Sequence, residues 1–123
     1  MTTPQGKHLF INLASGEPAH AAKALRQGRN FIAGNWEVTL MLNVDAVTLV
    51  GPAAGQTNCP VSGKPLDVML AGFAAAGGCV LVGADCLKLA GFAVDDLPAG
   101  CAIGTFEEVE RRLGRPGTRT LCW

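Results

Sequence analysis

The feature that most constrains the fold is a series of apolar runs too short to be helices. Each is closed by small or polar residues and separated from the next by a helix-length segment. The run from Leu9 to Leu13 stops at Ser15-Gly16, a second over 37–42 stops at Asn43 to Asp45, and a third over 79–83 leads into Cys86. Strands this apolar on both faces of the pleat are buried on both sides, which is the mark of a parallel sheet. Between the runs the period changes. In 17–34, Pro18 suits a first helical turn, Ala21 or Ala22, Leu25, Gly28 and Ile32 share one face, and Gly34 is the stop. In 64–78, Leu66, Met69, Leu70 and Phe73 form one stripe and Gly77-Gly78 end it. Residues 101–104 read as a fourth strand. In the helix over 105–114, Thr105 and Glu108 stand at capping-box spacing, and 118–123 is a closing strand whose Trp123 plugs a core or subunit contact. Residues 51–63 read as loop by composition. The alternation predicts an α/β fold: a three-layer α/β/α sandwich with a mainly parallel sheet of about five strands, in a single domain over 1–123.

The charge balance narrows the partners. Ten Lys and Arg face ten Asp and Glu, so no electrostatic case exists for nucleic acid or an anionic membrane. Only 16% of residues are charged, a composition that favours association of the chain with itself. The arginines at 111, 112, 115 and 119 read as a solvated face. No apolar run approaches a membrane span, and "MTTPQGKHLF" lacks the basic start and apolar stretch of a secretory signal. Five cysteines, an odd number, then fit the free thiols of a cytoplasmic protein better than a disulfide scaffold.

In a parallel sheet the carboxyl ends of the strands share one edge, and ligands bind there. The strand exits bring Asn12, Ser15, Asn43, Asp45 and Cys86 to that edge. Asp85 as N-cap places Cys86 in a first helical turn, where exposed amides favour a thiolate; the Asp85 charge opposes this and Lys88 supports it. The alternative is that Cys86 is a small buried hydrophobe. His20, in the first turn of the first helix, either moves protons at this edge or faces solvent, and His8 reads as a satisfied surface residue. Cys59 lies in "NCPVSGKP", the Cys-Pro-x-Ser arrangement of a monothiol redox site. It is a redox centre, a second thiol that reaches Cys86, or an idle loop cysteine. Asn58 and Pro65 break the phosphate-loop pattern in the same stretch, and no G-x-G-x-x-G occurs, so no nucleotide cofactor is expected. The cysteines never form C-x-x-C and the two histidines are not at ligand spacing, so no metal is expected either. Cys79 and Cys101 fall in strands and read as core. Cys122 belongs to the closing strand or to a cargo-carrying tail.

The order of these pieces, from "LFINLASGEPAHAAKALRQGRNFIAGNWEVTLMLNVDAVTLV" to "LDVMLAGFAAAGGCVLVGADCLKLAGF", resembles the DsrE family of small sulfur-relay proteins over about residues 7–113. Like that family, the chain has an alanine-rich first helix, a Gly-x-x-Val-Thr-like second strand and a Leu-rich second helix ending in glycine. A cysteine follows strand three. The resemblance implies that Cys86 accepts sulfur as a persulfide from a donor protein and passes it to an acceptor protein without a cofactor. It also implies a homo-oligomer, a trimer or hexamer. Some members lack the cysteine, so a non-catalytic scaffold or small-ligand-binding subunit is the alternative reading, and a thiol oxidoreductase centred on Cys59 is a third. The "GAD" before Cys86 departs from many relatives, which carry a second cysteine or a proline there.

Overall fold

The computed structural model describes residues 6–123; the first part of the N-terminal segment read above lies outside them. Five strands form one sheet in the order β4-β3-β2-β1-β5. They are β1 (His8–Leu13), β2 (Glu37–Leu42), β3 (Cys79–Val82), β4 (Cys101–Ile103) and β5 (Thr118–Cys122), and every pairing is parallel. The helices are α1 (Pro18–Ala33), α2 (Leu66–Ala75), α3 (Ala84–Leu89) and α4 (Phe106–Leu113). The chain steps outward from β1 to β4 and then crosses back over α4 to place β5 on the far side of β1. The α/β sandwich expected from the alternation is present, and its sheet is parallel throughout.

Register divides the two faces. Leu9, Ile11 and Leu13 of β1, Val38, Leu40 and Leu42 of β2, and Val80 and Val82 of β3 join one core with Ala21, Ala22, Leu25, Leu66, Leu70, Phe73 and Leu87 of the helices. The other face holds a smaller cluster, Phe10, Met41 and Leu81, covered by Val109 of α4. Phe73 is fully buried between two glycines: a Cβ on Gly28 would lie 2.6 Å from its ring, and one on Gly78 would overlap it. That is why the apolar face of α1 carries a glycine where a larger residue would serve the helix better. The α4 cap is as the spacing predicts, with Thr105 Oγ1 accepting the Glu108 N–H at 3.2 Å.

Three expectations are corrected. Residues 51–63 are not plain loop: a 3-10 turn over Pro52–Gln56 follows another over Val44–Val50, and both bury apolar side chains in the space between β2 and α2. His8 is not at the surface. It is fully buried at the amino end of the sheet, with Nε2 2.8 Å from Thr39 Oγ1 and Nδ1 2.9 Å from Thr118 Oγ1. Its cross-strand partners, Glu37 and Thr118, come from distant parts of the chain, so nothing in the linear pattern marked the two threonines that satisfy it. The arginine group is also more than a solvated face. Arg112 donates to Thr39 Oγ1 at 3.1 Å and shares Glu108 with Arg111, while Arg115 pairs with Glu37.

Candidate functional site

The carboxyl edge is assembled by continuing the sheet's hydrogen bonds one residue past each strand. Asn43 N–H donates to the Leu13 carbonyl at 3.0 Å, and Gly83 N–H to the Leu42 carbonyl at 2.9 Å. These bonds align the exits of β1, β2 and β3. The side chains of Asn12 and Asn43 then meet across the first two exits, Asn43 Nδ2 donating to Asn12 Oδ1 at 2.7 Å. A Cβ on Gly83 would press on Asn43 Oδ1 at 2.7 Å, so the glycine leaves room for the Asn12–Asn43 pair.

Directly after Asn43 the backbone turns through Val44 at φ +53°, in the left-handed region that a β-branched residue avoids. The turn aims the Val44 N–H at Cys86 Sγ, 3.1 Å away. Cys86 is half-buried, packed against the core and reachable from the edge. Backbone strain at a buried-to-exposed boundary costs of order 1–3 kcal/mol and persists only where the surroundings enforce it. Here the enforced conformation delivers one amide donor to one sulfur. Sequence reasoning missed this donor. A backbone N–H has no sequence signature, and valine is the last residue one would place at positive φ.

The other expected residues are arranged around this contact with differing closeness. α3 begins at Ala84 with Gly83 as its N-cap, so Asp85 is not the cap; it lies in the first turn, exposed, and Cys86 follows it there. The cap position falls to Gly83 because the strand hydrogen bond from its N–H fixes the chain entering the helix. Lys88 is exposed in the last turn. Among the described residues, no hydrogen bond or ion pair joins Asp85 or Lys88 to the thiol. Ser15 Oγ and His20 Nδ1 are 2.6 Å apart, so His20 turns to the β1 exit loop and not to Cys86. Ser15 and Asp45 line one shallow depression of about 710 Å³ with Glu17 and Thr48.

Cys59 occupies a separate environment. The turn from Asn58 to Pro65 is pinned by Cys59 N–H to the Lys64 carbonyl at 2.8 Å and Gly63 N–H to the Cys59 carbonyl at 2.9 Å. Its sulfur is buried at the edge of the core, 3.4 Å from the Ser62 N–H and 3.7 Å from Arg26 Nη1. Hydrogen bonds from Ser62, through side chain and backbone, lower its pKa to about 7; the Val61 N–H and Arg26 add to this, and burial opposes it. By contrast, burial pushes the Cys101 thiol up to about 11, and it raises Cys79 as well. Both pack within the sheet layers, as their strand positions suggested. Cys122 is exposed on β5, and Trp123 packs against the core. Among the described residues, no three His, Cys, Asp or Glu side chains come together as a metal site, and no helix is long and apolar enough to cross a membrane.

No protein-family model matches the sequence, and no curated protein matches it either. Solved structures do. The ychN protein from E. coli superimposes with a TM-score of 0.75 at 21% identity, covering 96% of this chain and 99% of that one. A protein of unknown function from Methanobacterium thermoautotrophicum, MTH1491, gives a TM-score of 0.73 at 11% identity, covering 95% and 99%. The chain therefore shares its α/β fold with these two proteins over nearly the full length of each.

Proposed function

We propose that this chain is a sulfur carrier: Cys86 accepts a sulfur atom at the carboxyl edge of the sheet and hands it to a partner protein. The observation that carries the reading is the strained Val44 N–H held 3.1 Å from the Cys86 sulfur. The resemblance of the strand-three cysteine and its surroundings to the DsrE family supports the same assignment. In the loading step the Cys86 thiolate attacks the outer sulfur of a donor persulfide, R–S–SH. A bond forms between Sγ and that sulfur, the donor's S–S bond breaks, and its electron pair leaves on the donor thiolate. No net oxidation occurs and no cofactor takes part. Delivery is the same reaction run toward an acceptor thiolate. A sulfur anion arising at this position meets the positive end of an N–H dipole and is partly sheltered from oxidants. Asn12 and Asn43 hold the two strand exits together, and Asp85 and Lys88, exposed on the same helix as Cys86, are the charges a docking partner would meet.

The reading includes self-association in the cytoplasm, for which the low charge and the exposed Phe106 and Leu89 are the support. Incubation with a low-molecular-weight persulfide, followed by intact mass, tests it. The wild type gains one sulfur and Cys86→Ser gains none; equal gain in both sinks the proposal. One observation favours a second reading. The pKa of Cys59, near neutrality, suits thiol redox chemistry, and loading lost only in Cys59→Ser would move the function there.

A further inference from the structure

The chain's ten basic residues exactly offset its acidic ones in number, yet three of them gather with no carboxylate among them. Arg26 and Arg29 on α1, and Lys64 just before α2, line a groove of about 480 Å³ between the two helices. None of the three takes part in an ion pair among the described residues, whose salt bridges all involve Glu108 or Glu37. Asp67 on α2 is turned away, its carboxylate lying over Gly55.

One of the cations has a partner in the fold, and a second reaches across to α2. Arg29 Nη1 lies across the α2 backbone, 2.9 Å from where a Cβ on Gly72 would be, so a side chain at 72 would displace it. Arg26 Nη1 rests against Cys59 Sγ at 3.7 Å, and the adjoining Ser62 lines the groove. The α2 side of the groove is apolar, with Val68 and Met69, and Leu25 of α1 joins the lining; Val68 is 55% exposed. Guanidinium groups bind oxyanions through paired, planar N–H donors, and holding them in place beforehand lowers the cost of binding. A groove of this size exceeds what a bare oxyanion fills, since a water takes about 30 Å³.

We infer that the α1–α2 groove is a binding site for a small organic oxyanion. Its phosphate or carboxylate head is held by Arg26, Arg29 and Lys64, and its apolar body lies on Val68 and Met69. The site is distinct from the Cys86 edge and stands whether or not Cys86 carries sulfur.

Amide NMR titrations of the full chain with phenyl phosphate, benzoate and inorganic phosphate test it at constant ionic strength. Phenyl phosphate or benzoate produces saturable shifts centred on Arg26, Arg29, Ser62, Lys64 and Met69, and the tighter of the two names the head group. Inorganic phosphate binds the same residues more weakly. Arg29 and Lys64 are exposed, so the Arg29→Gln, Lys64→Gln double variant keeps its fold, which its unshifted remaining amides report. It binds roughly tenfold more weakly or worse, as expected for losing two charged donors. Val68→Asp, which places a carboxylate on the apolar wall, also abolishes binding. Shifts that do not saturate, that centre elsewhere, or that persist unchanged in the double variant overturn the inference.

Discussion

Substituting His8 by glutamine isolates the one fully buried titratable ring in the sheet. A single neutral tautomer satisfies its surroundings. Nδ1–H donates to Thr118 Oγ1, Thr39 O–H donates to Nε2, and Thr39 Oγ1 is left to accept from Arg112. A second ring proton would face Thr39 Oγ1, already committed to Arg112, so the hydroxyl hydrogen would have no acceptor. Burial and the nearby Arg115 and Arg112 charges hold the His8 pKa below its usual 6.5, and Glu37 opposes them. The unfolded chain therefore binds a proton below pH 6.5 that the folded chain refuses. Stability contributed by the neutral ring is complete above that pH and falls as pH drops, by at most about 1.4 kcal/mol per unit, until the folded ring titrates. For a domain of this length each kcal/mol moves Tm by roughly 3–6 °C. Urea unfolding at half-unit steps from pH 7.5 to 5 measures it. The wild type loses stability below pH 6.5 with a slope of at most one proton, whereas His8→Gln, weaker overall through lost packing, is flatter over that range. Equal slopes in the two proteins would refute the reasoning.

Further outcomes follow from other parts of the molecule. Val44→Asn keeps the N–H while placing at φ +53° a residue that tolerates it, and Val44 is 57% exposed, so stability rises by about 1 kcal/mol with Cys86 alkylation little changed. A fall in urea midpoint contradicts the strain. Gly28→Ala, favourable in an ordinary helix by about 1 kcal/mol, is destabilising here because its Cβ meets the Phe73 ring; thermal unfolding decides the sign. Peptide-resolved alkylation across pH finds a midpoint near 7 for Cys59, whereas Cys101 stays unreactive until about 11. Similar profiles for the two thiols would contradict the hydrogen bonding described around Cys59.

Much of the fold was legible because it rests on local pattern. The apolar runs of β1, β2 and β3 are buried on both faces, so burial leaves a direct trace in composition, and the Thr105–Glu108 spacing names its own cap. Strand order then brings Asn12, Asn43 and Cys86 to one edge with no further information. What stayed hidden depends on pairing between distant residues or on backbone. His8 looks solvent-facing until Thr39 and Thr118 arrive from other strands. Asp85 reads as a cap until the β3 hydrogen bond fixes Gly83 in that place. The Val44 donor belongs to the main chain at an unfavourable φ, which no residue type announces. The basic groove is equally silent, since Arg26, Arg29 and Lys64 come together only when α1 and α2 pack side by side.

Sulfur loading of a chain in which Cys86 is the sole cysteine tests the central claim most directly, with Cys59, Cys79, Cys101 and Cys122 changed to serine or alanine. After exposure to a persulfide donor and removal of excess reagent, peptide mass spectrometry should place one added sulfur on Cys86. A second thiol protein should then recover that sulfur. If the Cys86-only chain, folded by circular dichroism, takes up no sulfur under conditions that load the wild type, Cys86 is not the acceptor.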